Sequence, residues 1–177
     1  MKIKLNLEKT KVMIVNFSRE KEFNITLKVN DQEIETVNKV KLLGTILTSD
    51  LKWNETVQYI IRRANSRMII LRKISQFTKK LDDLKQIYIS FIRSIIEQSC
   101  QVWNFSLTNE NSEDLERIQK NALKIILGNN YKNYETALRI MNLEDLRTRR
   151  DILCKKFAEN CTRYENTKQM FSKKYLL

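Results

Sequence analysis

The spacing of apolar residues changes once along the chain, from short runs and alternation to a helical period. Ile25–Val29 alternates apolar and polar side chains with period two, which is typical of a half-buried strand. Asn30-Asp31 supplies a turn, and Ile34 and Val37 are predicted to lie on the returning strand. The apolar run Val12–Val15 predicts a further short strand. The first fifty residues therefore favour a small β region.

A second strand pair is predicted at the end of this region. Val40–Leu47 is an apolar segment with Gly44 in its middle. A glycine inside a strand pattern indicates a bulge, a tight turn or a close approach of another backbone. All three interpretations stay open from the sequence.

After Trp53 the apolar positions recur with the period of an amphipathic helix. Asn54 is the predicted N-cap of the first helix. A second helix is predicted from about Leu81, with Asp82 and Asp83 in its first turn, where the helix dipole favours negative charge. The predicted inward residues of these two helices are Val57, Ile60, Ile61, Ala64, Met68, Leu71 and Ile74, and then Leu84, Ile87, Tyr88, Phe91, Ile95 and Val102.

Three further helices complete the pattern. One begins near Asn111 or Ser112 and ends at Gly128, a C-terminal glycine signal. A short helix covers roughly Tyr134 to Met141, and Asn142 is predicted to cap the last long helix. The inward residues are Leu115, Ile118, Ala122, Ile125 and Ile126 in the third helix, and Leu146, Leu153, Phe157 and Cys161 in the last.

The predicted fold class is α+β, with a small N-terminal antiparallel β-hairpin region followed by a helical bundle of about five helices. The predicted domains are a β region at 1–52, a helical bundle at 53–165 and a polar tail at 166–177. A chain of 177 residues is long enough for one such domain with a packed core.

Composition excludes several kinds of site. The chain has no histidine, so a Ser-His-Asp triad, a Cys-His dyad and a histidine-ligated zinc are excluded. With two glycines and no proline, a glycine-rich phosphate loop is disfavoured. The three cysteines, Cys100, Cys154 and Cys161, match no metal-binding spacing, so buried reduced thiols are the favoured interpretation. Asp82 and Asp83 diverge by about 100° on a helix, which disfavours a two-metal site.

The net charge of +12 is concentrated in one part of the chain. No acidic residue occurs from Thr56 to Leu81, whereas seven basic residues do: Arg62, Arg63, Arg67, Arg72, Lys73, Lys79 and Lys80. Two interpretations stay open for the first five, which are either a solvated helix face or a surface that neutralises phosphates. Trp53 and Trp103 are expected to pack in the core in preference to stacking on bases.

The sequence indicates neither a signal peptide nor a membrane span. The first seven residues contain no stretch long enough for the apolar part of a signal peptide. No run reaches the roughly 18 apolar residues of a membrane span. We therefore expect an intracellular protein, cytoplasmic or nuclear, that is not secreted and does not enter a membrane.

Six segments, taken in order, resemble the reverse transcriptases of non-LTR (LINE-like) retrotransposons. They are the Leu5–Met13 segment with its Lys9-Thr10 pair, Val37 with Val40–Leu47, Leu51–Asn54, Tyr88–Arg93 with Glu97 and Val102-Trp103, Leu115–Gly128, and Leu146–Arg150. Each segment is weakly specific alone, but together they cover nearly the whole chain. The chain departs from the family pattern at Thr56, where a histidine is usual, at Ser94, where a proline is usual, and at Gln98, where a tyrosine is usual.

The resemblance implies a role for each segment. Residues 1–52 correspond to the end of the palm and the primer grip, and the helical bundle corresponds to the thumb. Lys9 would act as a general acid towards the pyrophosphate leaving group, and Leu43, Gly44 and Thr45 would position the primer end. The cations Arg62, Arg63, Arg67, Arg72 and Lys73 would follow the backbone of an RNA or RNA–DNA duplex.

The catalytic aspartates of the family lie upstream of the Lys-Thr segment and have no counterpart here. The resemblance thus implies a fragment of an RNA-directed DNA polymerase that grips a template–primer duplex and is inactive alone. No cofactor is expected in this chain, and Mg²⁺ is expected only in the complete polymerase, whose upstream finger and palm segment would be a partner. The alternative is a retrotransposon-derived stand-alone helical module that binds RNA or protein without enzymatic activity.

Overall fold

The computed structural model describes residues 6–17, 26–164 and 167, arranged in an α+β fold. Short strand pairs come first and helices follow, which confirms the predicted fold class. The chain divides into two compact units, Met1–Thr56 and Val57–Leu177. Apart from Thr167, the predicted polar tail at 166–177 lies outside the described residues, as does Ile25 in the predicted strand.

The described residues of the first unit form three two-stranded ladders. Strands β2 and β3 pair antiparallel, as do β5 and β6, whereas β1 and β4 form a parallel pair. The strands are β1 (Lys11–Val12), β2 (Lys28–Val29), β3 (Gln32–Glu33), β4 (Glu35–Thr36), β5 (Lys39–Leu42) and β6 (Thr45–Thr48).

Both hairpins turn through two residues with positive φ. Asn30 and Asp31, the predicted turn, have φ of 53° and 61°. Leu43 and Gly44 have φ of 49° and 87° and join β5 to β6. Positive φ at both central residues defines the turn type that matches the twist of paired strands. Of the three interpretations of Gly44, the tight turn is therefore the one observed.

Three strand predictions in this unit were wrong in extent, and in the predicted strand Ile25–Val29 only Lys28 and Val29 of the described residues form a strand. The run Val12–Val15 forms a strand only as far as Val12. Ile34 and Val37 lie outside the strands, although their backbone N–H groups donate to the carbonyl oxygens of Leu27 at 2.9 Å and Val12 at 2.8 Å. The reason is a change of partner at Ile34, because β3 pairs with β2 while β4 pairs with β1.

The described α-helices begin at Asn54, which is the first residue of α1 and not its cap as predicted. A π-helical segment, Tyr88–Arg93, joins α2 to α3. The helices are α1 (Asn54–Phe77), α2 (Leu81–Ile87), α3 (Ser94–Glu97), α4 (Cys100–Trp103), α5 (Asn109–Leu127), α6 (Tyr134–Met141) and α7 (Leu146–Arg163). Helix α5 packs against α2, α6 and α7, and α4 packs against α7.

The π-helical segment corrects the predicted inward face of the second helix. Phe91 and Val102 were expected inside but are exposed, whereas Ile92 and Ile96 are fully buried. A π turn holds more residues than an α turn, so the buried position after Tyr88 moves from Phe91 to Ile92. Ser99, with φ of 54°, then separates α3 from α4.

The helix ends were predicted with mixed success. Helix α5 ends before Gly128 as predicted but starts earlier, with Thr108 as its N-cap. Asn142 ends α6 in a left-handed conformation, and Asp145 caps α7 by accepting from the Thr148 N–H at 2.9 Å. The prediction that Asn142 caps the last helix was therefore wrong, because asparagine also suits the left-handed position that ends a helix.

The apolar stripe predicted for α7 holds only in its first half. Leu146 and Cys154 are buried, and Leu153 and Cys161 are half-buried. Phe157 is exposed, as is every residue from 155 to 160, so no described element covers this part of α7.

A buried hydrogen-bond network joins four segments of the second unit at Gln119, which is fully buried. The Tyr88 hydroxyl donates to Gln119 Oε1, and Gln119 Nε2 donates to the Tyr134 hydroxyl at 2.8 Å and to the Glu144 carbonyl at 2.9 Å. The Tyr134 hydroxyl donates to Glu116, whose carboxylate also accepts from the Leu146 N–H at 3.0 Å. Burial raises the pKa of Tyr88, so its hydroxyl keeps the proton that it donates.

Replacing Gln119 by leucine is expected to lower the free energy of unfolding by about 2–3 kcal/mol, because buried polar groups would lose their partners. Urea denaturation measures this free energy. Asn121→Leu, an exposed change on the same helix, is expected to stay within about 0.5 kcal/mol of the wild type. Equal losses in the two variants would contradict the role given to the network.

Candidate nucleic-acid interface

The five cations predicted on α1 point in three directions. Successive helical residues turn by about 100°, so Arg62 and Lys73 lie within about 20° of each other and about three turns apart, on the order of 16 Å. Both are exposed on the side opposite the buried stripe. Arg63 and Arg67 lie on one flank of that stripe, and Arg72 lies on the other flank.

None of these five cations lies within 4.0 Å of a carboxylate among the residues that the structure describes. Arg63 is half-buried and has two neutral partners. Its Nη1 donates to Gln98 Oε1 at 2.8 Å, and its guanidinium lies 5.5 Å from the centre of the Tyr59 ring. Arg63 thus fastens α1 to the segment after α3, while the other four side chains are exposed.

Arg72 lines a groove of about 540 Å³ between α1 and α5. Lys124 lies on the α5 side of the groove, and the amides Asn65 and Asn121 lie on the two helices. Met68 and Ile125 supply apolar surface. No carboxylate is among the lining residues, so the groove presents two cations and two amides to its contents.

The second half of α5 continues this positive surface, whereas its first half carries Glu110, Glu113, Asp114 and Glu116. Lys120 and Lys124 stand over the rings of Tyr134 and Tyr131, at 5.2 Å and 5.7 Å from the ring centres. Such cation–π contacts orient an ammonium group without neutralising its charge. Arg117, one turn earlier, is paired with Asp114 at 2.7 Å and contributes less net charge.

In the first unit, the predicted hairpin residues differ in exposure. Leu43 is 87% exposed at the tip, whereas Thr45 is buried. Thr56, where the family has histidine, accepts a hydrogen bond from the Ile46 N–H at 3.1 Å and donates one to the Ile46 carbonyl at 2.6 Å. Thr56 therefore fixes strand β6 to the start of α1, which gives this departure from the family pattern a structural role.

Lys9 ends a short 3₁₀ helix, Leu7–Lys9, and is exposed. Asn6 caps this turn by accepting a hydrogen bond from the Lys9 N–H at 3.3 Å. The structure thus places Lys9 in the first unit and the α1–α5 groove in the second. The family-implied role of Lys9 as a general acid stays a prediction.

Other residues singled out in the sequence have structural positions. Trp103 is fully buried and its indole N–H donates to the Gln98 carbonyl at 3.2 Å, while Trp53 is 9% exposed. Both tryptophans are thus packed as predicted. Asp82 and Asp83 lie in the first turn of α2. Cys100 and Cys154 are buried and reduced, while Cys161 is half-buried.

The described part of the chain contains no cluster of three or more cysteine, aspartate or glutamate side chains that would hold a metal ion. Among the described helices, none is both long enough and apolar enough to cross a membrane. Sequence reasoning missed Asn65, Asn121 and Lys124. The α5 period marks Lys124 as exposed, but nothing in the sequence indicates that α5 lies beside the Arg72 side of α1.

Comparisons with known proteins add no relative to this description. No family model matches the chain, and no curated protein and no solved structure matches it significantly.

Proposed function

We propose that the helical unit binds the sugar–phosphate backbone of an RNA or RNA–DNA duplex along the α1–α5 groove. One observation carries the proposal: Arg72 and Lys124 line opposite sides of a groove that also contains two amides and no carboxylate. Guanidinium and ammonium groups bind phosphate oxygens, and amides bind phosphate and sugar oxygens.

The electrostatics of the two helices support this choice of ligand. The exposed cations of α1 have no acidic partner among the described residues, so their charge attracts a polyanion. Neutralising phosphates would release the counterions condensed on the nucleic acid, which favours binding at low salt. Arg62 and Lys73 face away from the stripe that α1 buries and would act at longer range.

This groove suits recognition without sequence readout. Its polar side chains are few and their natural partners are phosphates and 2′-hydroxyls, which every RNA strand presents. A thumb-like element that holds a duplex needs this kind of contact, and the proposal agrees with the resemblance to the reverse transcriptases of non-LTR retrotransposons. We propose no chemical step for this chain.

The test is the salt dependence of binding to a short RNA–DNA duplex, measured by fluorescence anisotropy. The double variant Arg72→Gln/Lys124→Gln is expected to bind about 10–100-fold more weakly at low salt. The slope of log affinity against log salt is expected to fall by about 1.4–1.8, since each phosphate contact contributes about 0.7–0.9.

A variant of equal net charge provides the control. Lys155→Gln/Lys156→Gln removes two exposed cations from α7, far along the sequence from the groove residues. It is expected to bind the duplex within about threefold of the wild type, because salt screens charges that make no direct contact with a phosphate. Equal losses in both double variants would show that only net charge matters, and the groove proposal would then be wrong.

The alternative function, a helical module that binds protein, predicts a different result. Wild-type affinity for the duplex would then be weak and would fall with salt equally in both double variants. Saturable, salt-dependent binding that requires Arg72 and Lys124 favours the nucleic-acid proposal.

A further inference from the structure

Arg150 is a fully buried cation that has no carboxylate within 4.0 Å in the described part of the chain. Its Nε donates to Asn104 Oδ1 at 2.8 Å, and its Nη2 donates to Ser112 Oγ at 3.1 Å. Its guanidinium lies 5.9 Å from the centre of the Trp103 ring. A buried charge with only neutral partners is costly unless a counter-charge compensates it.

One nitrogen of this guanidinium is left over. Arg150 Nη1 is buried and has no hydrogen-bond partner. Burial lowers the pKa of Arg150, and the nearby charge of Glu116 is the largest influence in the opposite direction. An arginine remains charged at neutral pH even so, and one of its donors is unused.

Arg150 lines a cavity of about 240 Å³ at the N-terminus of α5. Ser112, Thr108 and Asn109 come from the start of that helix, and the exposed Arg147 lines the same cavity. The start of this 19-residue helix carries the positive end of the helix dipole, and Thr108 Oγ1 already accepts the Asn111 N–H at 3.1 Å. Two arginines and a helix N-terminus therefore converge on one space.

The acidic groups around this space have other partners. Asp151 lines the cavity, but its carboxylate accepts a hydrogen bond from Asn104 Nδ2 at 2.8 Å. Glu116 accepts from the Leu146 N–H and from Tyr134, and Asp145 caps α7. None of these carboxylates forms an ion pair with Arg150.

We infer that this cavity binds a phosphate-type oxyanion, held by Arg150, Arg147 and the start of α5. A water molecule takes up about 30 Å³ of liquid, so a cavity of about 240 Å³ has room for a phosphate group and some water. Arginine side chains and helix N-termini both bind phosphate and other oxyanions. The site goes beyond the proposed function, because its residues lie on α5 and α7 outside the α1–α5 groove.

The test titrates the full chain with inorganic phosphate at constant ionic strength, using isothermal titration calorimetry. The wild type is expected to show one saturable site. Arg147→Gln, which changes an exposed side chain, is expected to weaken binding about tenfold, because a charge-assisted contact is lost. Arg150→Met is expected to abolish binding, and circular dichroism establishes whether that variant folds.

The control is Arg163→Gln, an exposed change near the end of the same helix, which is expected to leave the affinity for phosphate unchanged. Arg72→Gln/Lys124→Gln is likewise expected to bind phosphate normally, so this site and the groove fail separately. The inference is overturned if the wild type shows no saturable binding at millimolar phosphate, or if Arg147→Gln binds as tightly as Arg163→Gln.

Competition then identifies the source of the oxyanion. A 5′-phosphorylated dinucleotide and its 5′-hydroxyl twin are each tested for displacement of inorganic phosphate. Displacement by both indicates a backbone phosphodiester, displacement by the phosphorylated form alone indicates a terminal phosphate, and displacement by neither indicates free phosphate. Each of these results supports an oxyanion site.

Discussion

Replacing Trp103 by alanine is expected to lower the free energy of unfolding by about 3–5 kcal/mol, a large fraction of the stability of an ordinary domain. Trp103 has no exposed surface and lies on α4, which packs against α7. The change would open a cavity in the core and remove the indole N–H that donates to Gln98. Urea denaturation followed by circular dichroism measures the loss.

Phe105→Ala is the matched control for this change. Phe105 is also aromatic and lies two residues further on, but it is 78% exposed. Its replacement is expected to change the free energy of unfolding by less than about 0.5 kcal/mol. If both variants lost the same stability, the burial of Trp103 would not be the source of its effect.

The sequence predicted best those helix ends that depend on short-range signals. Helix α6 was predicted at Tyr134 to Met141, and α5 was predicted to stop at Gly128, as observed. A glycine that ends a helix acts through its own backbone, so the signal is readable without knowledge of the fold. The Asn30-Asp31 turn was found for the same reason.

Features that depend on packing were not predictable in this way. The π-helical segment shifts the buried face by one residue at Ile92, and the apolar spacing alone suggested a regular α-helix through Phe91. Asn142 carries a signal that suits either end of a helix, and in the fold it ends α6 while Asp145 caps α7. Local rules leave such choices open, and tertiary contacts settle them.

In the candidate site, too, some features were readable from the sequence and others depend on packing. The acid-free segment of α1 was visible in the sequence, and its cations do lack carboxylate partners among the described residues. The helical period already implies that the cations of α1 point in three directions. The placement of Arg72 opposite Lys124 across a groove depends on how α1 and α5 pack, which the sequence does not show. The burial of Arg150 likewise had no sequence signal, because nothing in the run Leu146–Arg150 distinguishes it from the two other arginines there.

In the folded chain, Cys100 and Cys154 are expected to resist thiol reagents, whereas Cys161 reacts first. Burial raises the pKa of Cys100 from 9.0 to about 12 and also raises the pKa of Cys154. Because the thiolate is the reactive form, this rise alone lowers the reactive fraction of Cys100 about a thousandfold at pH 8. Absorbance after addition of Ellman's reagent, with and without urea, measures the rates.

The pH dependence gives this prediction a second readout. A group whose pKa is raised on folding stays protonated until the pH approaches the higher value, so labelling of Cys100 is expected to speed up about tenfold per pH unit from pH 7 to 9 without a plateau. Cys161→Ser should remove the fast phase and leave the two slow thiols, because Cys161 is the half-buried one. Three thiols that react at one rate in the folded chain would contradict the burial of Cys100 on α4 and of Cys154 on α7. In urea, Cys161→Ser should show both remaining thiols reacting quickly.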